Sequence, residues 1–143
     1  MSKADLHERL NRAYEVTLSV KGRKSGRDIP RPVWFVSEGN TLYLLPVQGS
    51  DTSWYKNLLV DPTLSISVDG IEIPAARGKP ITDNNRVDNV ARKFKSKYSE
   101  GEVKKYYTKF DVAVEIPLSL QIEEAKWMSK STISNIRMIR TYL

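Results

Sequence analysis

The chain has no cysteine and a single histidine, His7, among its 143 residues. Without thiols there is no disulfide framework, no thiolate nucleophile and no cysteine-ligated zinc or iron–sulfur cluster. One histidine removes paired-histidine metal sites, so no metal centre is expected. No apolar run is long enough to cross a bilayer as a helix, and Met1-Ser2-Lys3-Ala4-Asp5 lacks the apolar core of a signal peptide. The expectation is a cytoplasmic, soluble domain with no integral membrane association. No repeat, low-complexity segment or linker divides it, and its length fits one domain over residues 1–143.

What the chain does have is positive charge. Lysine and arginine number 23 against 17 aspartates and glutamates, a formal charge of +6. A basic surface attracts nucleic acid, anionic lipid or a phosphorylated small molecule, or it simply keeps the protein in solution. The distribution of the charges decides between these.

The order of elements follows from periodicity and turn chemistry. Leu6, Leu10 and Ala13 at helical spacing behind a capping-box-like Ser2-Lys3-Ala4-Asp5 predict a helix over residues 3–14. Residues 15–20 alternate in polarity as a strand, and a basic turn over 21–27 leads to an extended run over 29–36. Pro30 and Pro32 cannot donate to a ladder, which places that run at a sheet edge or bulge. Glu38-Gly39-Asn40 turns the chain into a strand over 41–45, and a short amphipathic helix over 53–60 stops at Asp61-Pro62. Asp69-Gly70, between apolar-alternating residues 64–68 and 71–76, suits a type I′ hairpin. From Asp83 a helix carries Val87, Val90, Phe94 and Tyr98 on one face, and a shorter helix over 102–109 follows. Residues 112–116 and 118–122 read as closing strands around Pro117, and residues 132–142 as a terminal basic helix that docks on the domain or a dimer interface. Strands arriving in hairpin pairs disfavour a parallel doubly wound sheet. The expected class is α+β, a small antiparallel barrel with helices packed outside.

Two polar loops could hold an anion. In Lys21-Gly22-Arg23-Lys24-Ser25-Gly26-Arg27, glycines allow close backbone approach while Arg23, Lys24 and Ser25 add charge and donors. This suits a phosphate clamp, and equally a solvated hairpin loop. It is not a P-loop, because no Gly-Lys-Ser/Thr run opens a helix there. Val47-Gln48-Gly49-Ser50-Asp51-Thr52-Ser53 feeds the helix containing Trp54 and Asn57, where hydroxyls and amides suit a phosphate or a carbonyl-rich ring edge as well as ordinary capping.

Gly22-Arg23-Lys24-Ser25-Gly26, then Pro32-Val33 in an extended run, then Trp54-Tyr55-Lys56-Asn57-Leu58-Leu59 before Asp61-Pro62, resembles the deazaflavin-dependent nitroreductase family. That family lies within the split β-barrel flavin- and deazaflavin-binding superfamily, which includes pyridoxamine 5′-phosphate oxidase-like proteins. The resemblance spans residues 15–117 and implies a split β-barrel that binds coenzyme F420, with FMN as the alternative. It assigns the phosphate-bearing tail of the cofactor to Arg23, Lys24 and Ser25, beside Gly26 and Arg31. It assigns the ring system to Gln48, Gly49 and Ser50, with Trp54 and Asn57 of the matching helix, and the substrate pocket to Tyr106 and Tyr107. The chain departs from the family in Pro46-Val47-Gln48-Gly49-Ser50, where Ala-Ser-x-Gly-Gly is usual, and in lacking Arg-x-Ile-Pro after the tyrosines.

The resemblance implies a reductase that moves hydride to a small organic acceptor such as a quinone, a nitro compound or an enone. The cofactor carries the hydride, so the lack of cysteine does not count against an enzyme. Tyr106, Tyr107 or Ser50 would donate a hydrogen bond to charge on the reduced acceptor. The two tyrosines also suit plain amphipathic packing. A homodimer is expected from the resemblance. Two readings compete: a cofactor-binding protein without turnover, and a nucleic-acid module using Arg92–Tyr98 and Lys104–Tyr107. Nucleic acid is not the expected partner, because Phe94 and Tyr98 are spaced to face the core.

Overall fold

The computed structural model describes residues 3–118. In chain order the elements are α1 (Lys3–Arg12), β1 (Val16–Lys21), β2 (Asp28–Val33), β3 (Val36–Glu38), β4 (Thr41–Leu44) and α2 (Ser53–Val60). There follow β5 (Thr63–Val68), β6 (Ile71–Arg77), β7 (Lys79–Ile81), α3 (Asn84–Tyr98), α4 (Glu100–Tyr106) and β8 (Ala113–Pro117). The strands form two four-stranded antiparallel sheets, ordered β2-β1-β5-β6 and β3-β4-β8-β7. Among the described residues no ladder joins the two sheets into a closed barrel.

Proline position sets the edge of the first sheet. Pro30 and Pro32 pair with Ser19 and Thr17, and among the described residues β2 has no neighbour on its other side, so neither missing N–H interrupts a central ladder there. The β5–β6 hairpin turns through Asp69 (φ 50°) and Gly70 (φ 78°), the two positive φ values a type I′ turn requires. α2 begins and ends where the sequence predicts. β7 is an addition that the periodicity does not reveal, since three residues including a proline carry no pattern. α4 starts two residues earlier than expected, because Ser99 adopts φ 83° and its Oγ accepts from the Glu102 amide at 3.2 Å. Leu118 lies just beyond β8, and residues 119–122 and the terminal helix expected over 132–142 lie outside the described residues.

Strand alternation divides the core. Leu42 and Leu44 of β4 and Val114 and Ile116 of β8 point into the layer shared with the first sheet, α1 and α2. Ala113 and Tyr43, on the opposite face, meet α3 and α4 through Val87, Val90, Phe94, Val103 and Tyr107. The second sheet is therefore covered on both faces. Phe35, fully buried, marks the corner between β2 and β3, where the chain passes from one sheet to the other. The Tyr98 hydroxyl holds that corner. It accepts from the Phe35 amide at 3.1 Å and shares its proton between the carbonyls of Tyr14 (2.7 Å) and Phe35 (2.9 Å). Burial pushes that phenol up to about 12.

Candidate functional site

The corner at Phe35 leaves Trp34 beside an open cavity of about 770 Å³. Ligand sites usually enclose about 300–1,000 Å³, so the space is of the size that takes a small molecule. One wall is the end of β2, with Arg31, Pro32, Val33 and Trp34. Facing it are Thr52, Ser53 and Trp54 at the start of α2, and Tyr106 and Tyr107 at the end of α4. Tyr14, Glu15 and Glu102 complete the rim.

The aromatic wall is preorganised. Trp34 stacks on Tyr98 with ring centroids 4.2 Å apart and an interplanar angle of 9°. Tyr14 and Tyr106 stand nearly perpendicular to Trp34 at 5.6 and 5.7 Å, and Tyr107 lies tilted at 6.0 Å. Offset-stacked and edge-to-face pairs are the favoured ring geometries, so the wall keeps its shape without a ligand. Tyr107 is buried and desolvation raises its phenol well above the usual tyrosine range, so it remains a neutral donor. Tyr106 is half exposed.

α2 opens toward the same space. Its N-cap, Thr52, makes no side-chain bond to the first turn, because the Thr52 Oγ1 accepts instead from the Gln48 amide at 2.8 Å. The amides of the first turn therefore keep donor capacity at the positive end of the helix dipole, beside the cavity. Arg31 is the one cation among the described residues that line the cavity.

Both polar loops singled out in the sequence are anchored within the protein. The Arg23 guanidinium donates to Asn57 Oδ1 at 2.7 Å and to the Ser53 carbonyl at 3.3 Å, and the Arg23 amide donates to the same Oδ1 at 3.1 Å. Asn57 is the buried partner in this arrangement and ties the basic turn to α2. Lys24, Ser25 and Gly26 stay exposed at the tip, where Ser25 Oγ accepts from the Arg27 amide. In the second loop Asp111 accepts from the Ser50 amide at 2.9 Å and from the Ser50 hydroxyl at 2.5 Å. Lys109 pairs with Asp51 at 3.2 Å, and the Thr108 amide donates to the Val47 carbonyl at 2.9 Å. Gly49 (φ 56°) lies against Asp111 and Lys109, where a Cβ would collide.

Of the residues singled out from the sequence, the cavity brings together Arg31, Trp54, Tyr106 and Tyr107. Arg23, Lys24, Ser25, Gly26, Gln48, Gly49, Ser50 and Asn57 do not line it. Sequence reasoning passed over Tyr14 and Trp34, the centre of the wall. The one signal for Trp34 was its position directly after the proline-bearing edge strand, where a ladder must end.

A family model for uncharacterized proteins conserved in bacteria (DUF2255) matches residues 6–115. The chain belongs to the DUF2255 family. No curated protein matches it. In fold this DUF2255 member is similar to an F420-H2 dependent reductase, with 20% identity, TM-score 0.58, and coverage of 72% of this chain and 93% of the reductase. It is also similar to a Listeria innocua protein provisionally named a pyridoxamine 5′-phosphate oxidase, with 13% identity, TM-score 0.60, and coverage of 79% and 90%. A third similar structure is described as a domain-swapped dimer, with 20% identity, TM-score 0.58, and coverage of 72% and 79%. The mixed helix and antiparallel-sheet fold expected from the sequence is thus shared with the F420-H2 dependent reductase and with the Listeria innocua protein. At these identities the likeness establishes fold, and chemistry has to be argued from the site. No helix among the described residues is long and apolar enough to cross a membrane.

Proposed function

We propose that this DUF2255 member is a reductase that binds coenzyme F420, with FMN as the alternative, and passes hydride to a small organic acceptor such as a quinone, a nitro compound or an enone. The observation that carries this reading is the aromatic-walled cavity of about 770 Å³ that meets the uncapped start of α2. Its residues fit such a group. Pro32, Val33 and Trp54 offer apolar walls to a tricyclic ring, while the first-turn amides of α2, the Ser53 hydroxyl and Arg31 offer donors to its anionic substituents. Bound there, the cofactor would supply the hydride. Tyr107, kept neutral by desolvation, would donate to charge developing on the acceptor, and Tyr106 would close the outer side.

In this reading Lys24 and Ser25, exposed at the tip of the basic turn, reach the phosphate-bearing tail. Arg23 and Asn57 act by holding α2 in place, and Gln48, Gly49 and Ser50 by setting the loop that precedes it. The two sheets would be the halves of a split barrel of the pyridoxamine 5′-phosphate oxidase type. The similar structure described as a domain-swapped dimer supports a homodimer.

The test is a fluorescence titration of the purified protein with F420 and, separately, with FMN, followed by oxidation of the reduced cofactor in the presence of a quinone or nitro acceptor. Saturable binding of one cofactor with acceptor-dependent oxidation is the expected result. Binding without oxidation would make the protein a carrier. Binding of neither would overturn the reading.

A further inference from the structure

The outer end of the cavity has a composition unlike its inner end. Tyr14, Trp34 and Tyr106 present three rings there, with Tyr14 60% and Tyr106 48% exposed. Tyr14 and Tyr106 both stand edge-on to Trp34, at interplanar angles of 77° and 82°, whereas Tyr98 covers the other face of the indole. Two carboxylates, Glu15 and Glu102, line the same space. Neither is paired with a lysine or arginine among the described residues, although the chain carries a charge of +6.

We infer that this end of the cavity is a subsite for an organic cation, so that the acceptor carries a quaternary or protonated amine next to its reducible group. The choice of acceptor class rests on the reductase reading, while the subsite itself rests only on the three rings and two carboxylates. The negative faces of Trp and Tyr attract an alkylammonium group, and they do so most strongly when several rings meet around it. Glu15 and Glu102 add the opposite charge, and no lysine or arginine among the described residues forms an ion pair with either. A neutral aromatic ligand would use the ring surfaces equally well and would have no use for the carboxylates. An anionic ligand would be repelled by them and drawn to Arg31 and the α2 amides instead. The donors of the cavity therefore come from the start of α2, and its carboxylates from the α1–β1 connection and α4. Lys105 Nζ stands 5.3 Å from the Tyr106 ring centroid, so an incoming cation takes Tyr106 on its other face or in place of Lys105.

The test is an NMR-detected titration of the full chain with choline and with its neutral isostere 3,3-dimethyl-1-butanol. Saturable choline binding, about tenfold tighter than the alcohol, is expected. Replacing both exposed carboxylates, Glu15→Gln with Glu102→Gln, should weaken choline by about fivefold or more and leave the alcohol unchanged. Equal affinity for the two ligands, no choline binding, or a double variant that binds choline like the parent would each overturn the subsite. The F420 and FMN titration of the same sample separates this inference from the one it builds on. Cofactor binding without choline binding removes the subsite alone. Choline binding without cofactor binding keeps the subsite and removes the reductase.

Discussion

The turn between β1 and β2 and the loop between β4 and α2 have similar composition, with glycines, hydroxyls and charge, yet they are anchored in opposite directions. The turn is held by a side chain that reaches out of it, Arg23, whose guanidinium and amide both meet the buried Asn57 on α2. The loop is held by a side chain that reaches into it, Asp111, which takes the Ser50 amide and hydroxyl proton together. The turn therefore leaves Lys24 and Ser25 at an open tip, and the loop leaves little of its polar capacity unspent. What a polar loop can offer a ligand depends on which of its groups already have partners, and composition does not report that.

The largest expected effect breaks the first anchor. Asn57→Ala removes the acceptor of two hydrogen bonds from Arg23 and leaves the Arg23 amide without its partner, for a loss of about 2 kcal/mol in urea unfolding. Ligands of the cavity should weaken with it, because Ser53 and Trp54 ride on the same helix. Unchanged stability would mean that the turn needs no anchor. Breaking the second anchor with Asp111→Ala should cost about 1 kcal/mol at neutral pH through its two bonds to Ser50. Burial raises the Asp111 carboxyl, but the Ser50 donors and Lys109 outweigh it and leave it below the usual aspartate range. Its contribution is present above the unfolded-state value and lost as the pH falls through the lower folded one, so parent and variant should converge in acid.

A smaller effect belongs to the corner that carries neither loop. The Lys97 ammonium lies 3.6 Å from the Phe35 ring centroid and donates to the Phe35 carbonyl at 2.9 Å, and desolvation lowers it to about 8. Between pH 8 and the unfolded lysine value, the unfolded chain binds more protons, so stability rises with pH there. Lys97→Met should remove that rise, read as the difference between parent and variant melting temperatures from pH 8 to pH 10. The smallest stability change belongs to Lys24→Ala, within about 0.5 kcal/mol of the parent. Its expected signature is instead a weaker, less salt-dependent affinity for the phosphorylated cofactor. A large loss of stability would show that the tip of the turn is not free.

The local elements were legible because their signals are local. α2 over Ser53–Val60 follows from an apolar stripe ended by Asp61-Pro62, the β5–β6 turn from Asp69-Gly70, and the edge position of β2 from two prolines. The core face of α3 follows from the spacing of Val87, Val90, Phe94 and Tyr98, all buried. β7 was not legible, being too short to show a period. Of the residues that line the cavity, Arg31, Trp54, Tyr106 and Tyr107 had been singled out by resemblance, while Tyr14 and Trp34 were passed over because a lone aromatic at a strand end reads the same whether it faces core or cavity.

The sequence alone determined all the described elements but β7, their order and the mixed antiparallel class, because residue period, proline and turn chemistry act within a few positions of the chain. Only the tertiary structure decided which polar groups are spent and which remain for a ligand. Arg23 finds Asn57 across 34 residues, Ser50 finds Asp111 across 61, and Tyr98 closes the Phe35 corner across 63. Each partnership removes donors or acceptors that the sequence displays as available. The cavity is bounded by what they leave.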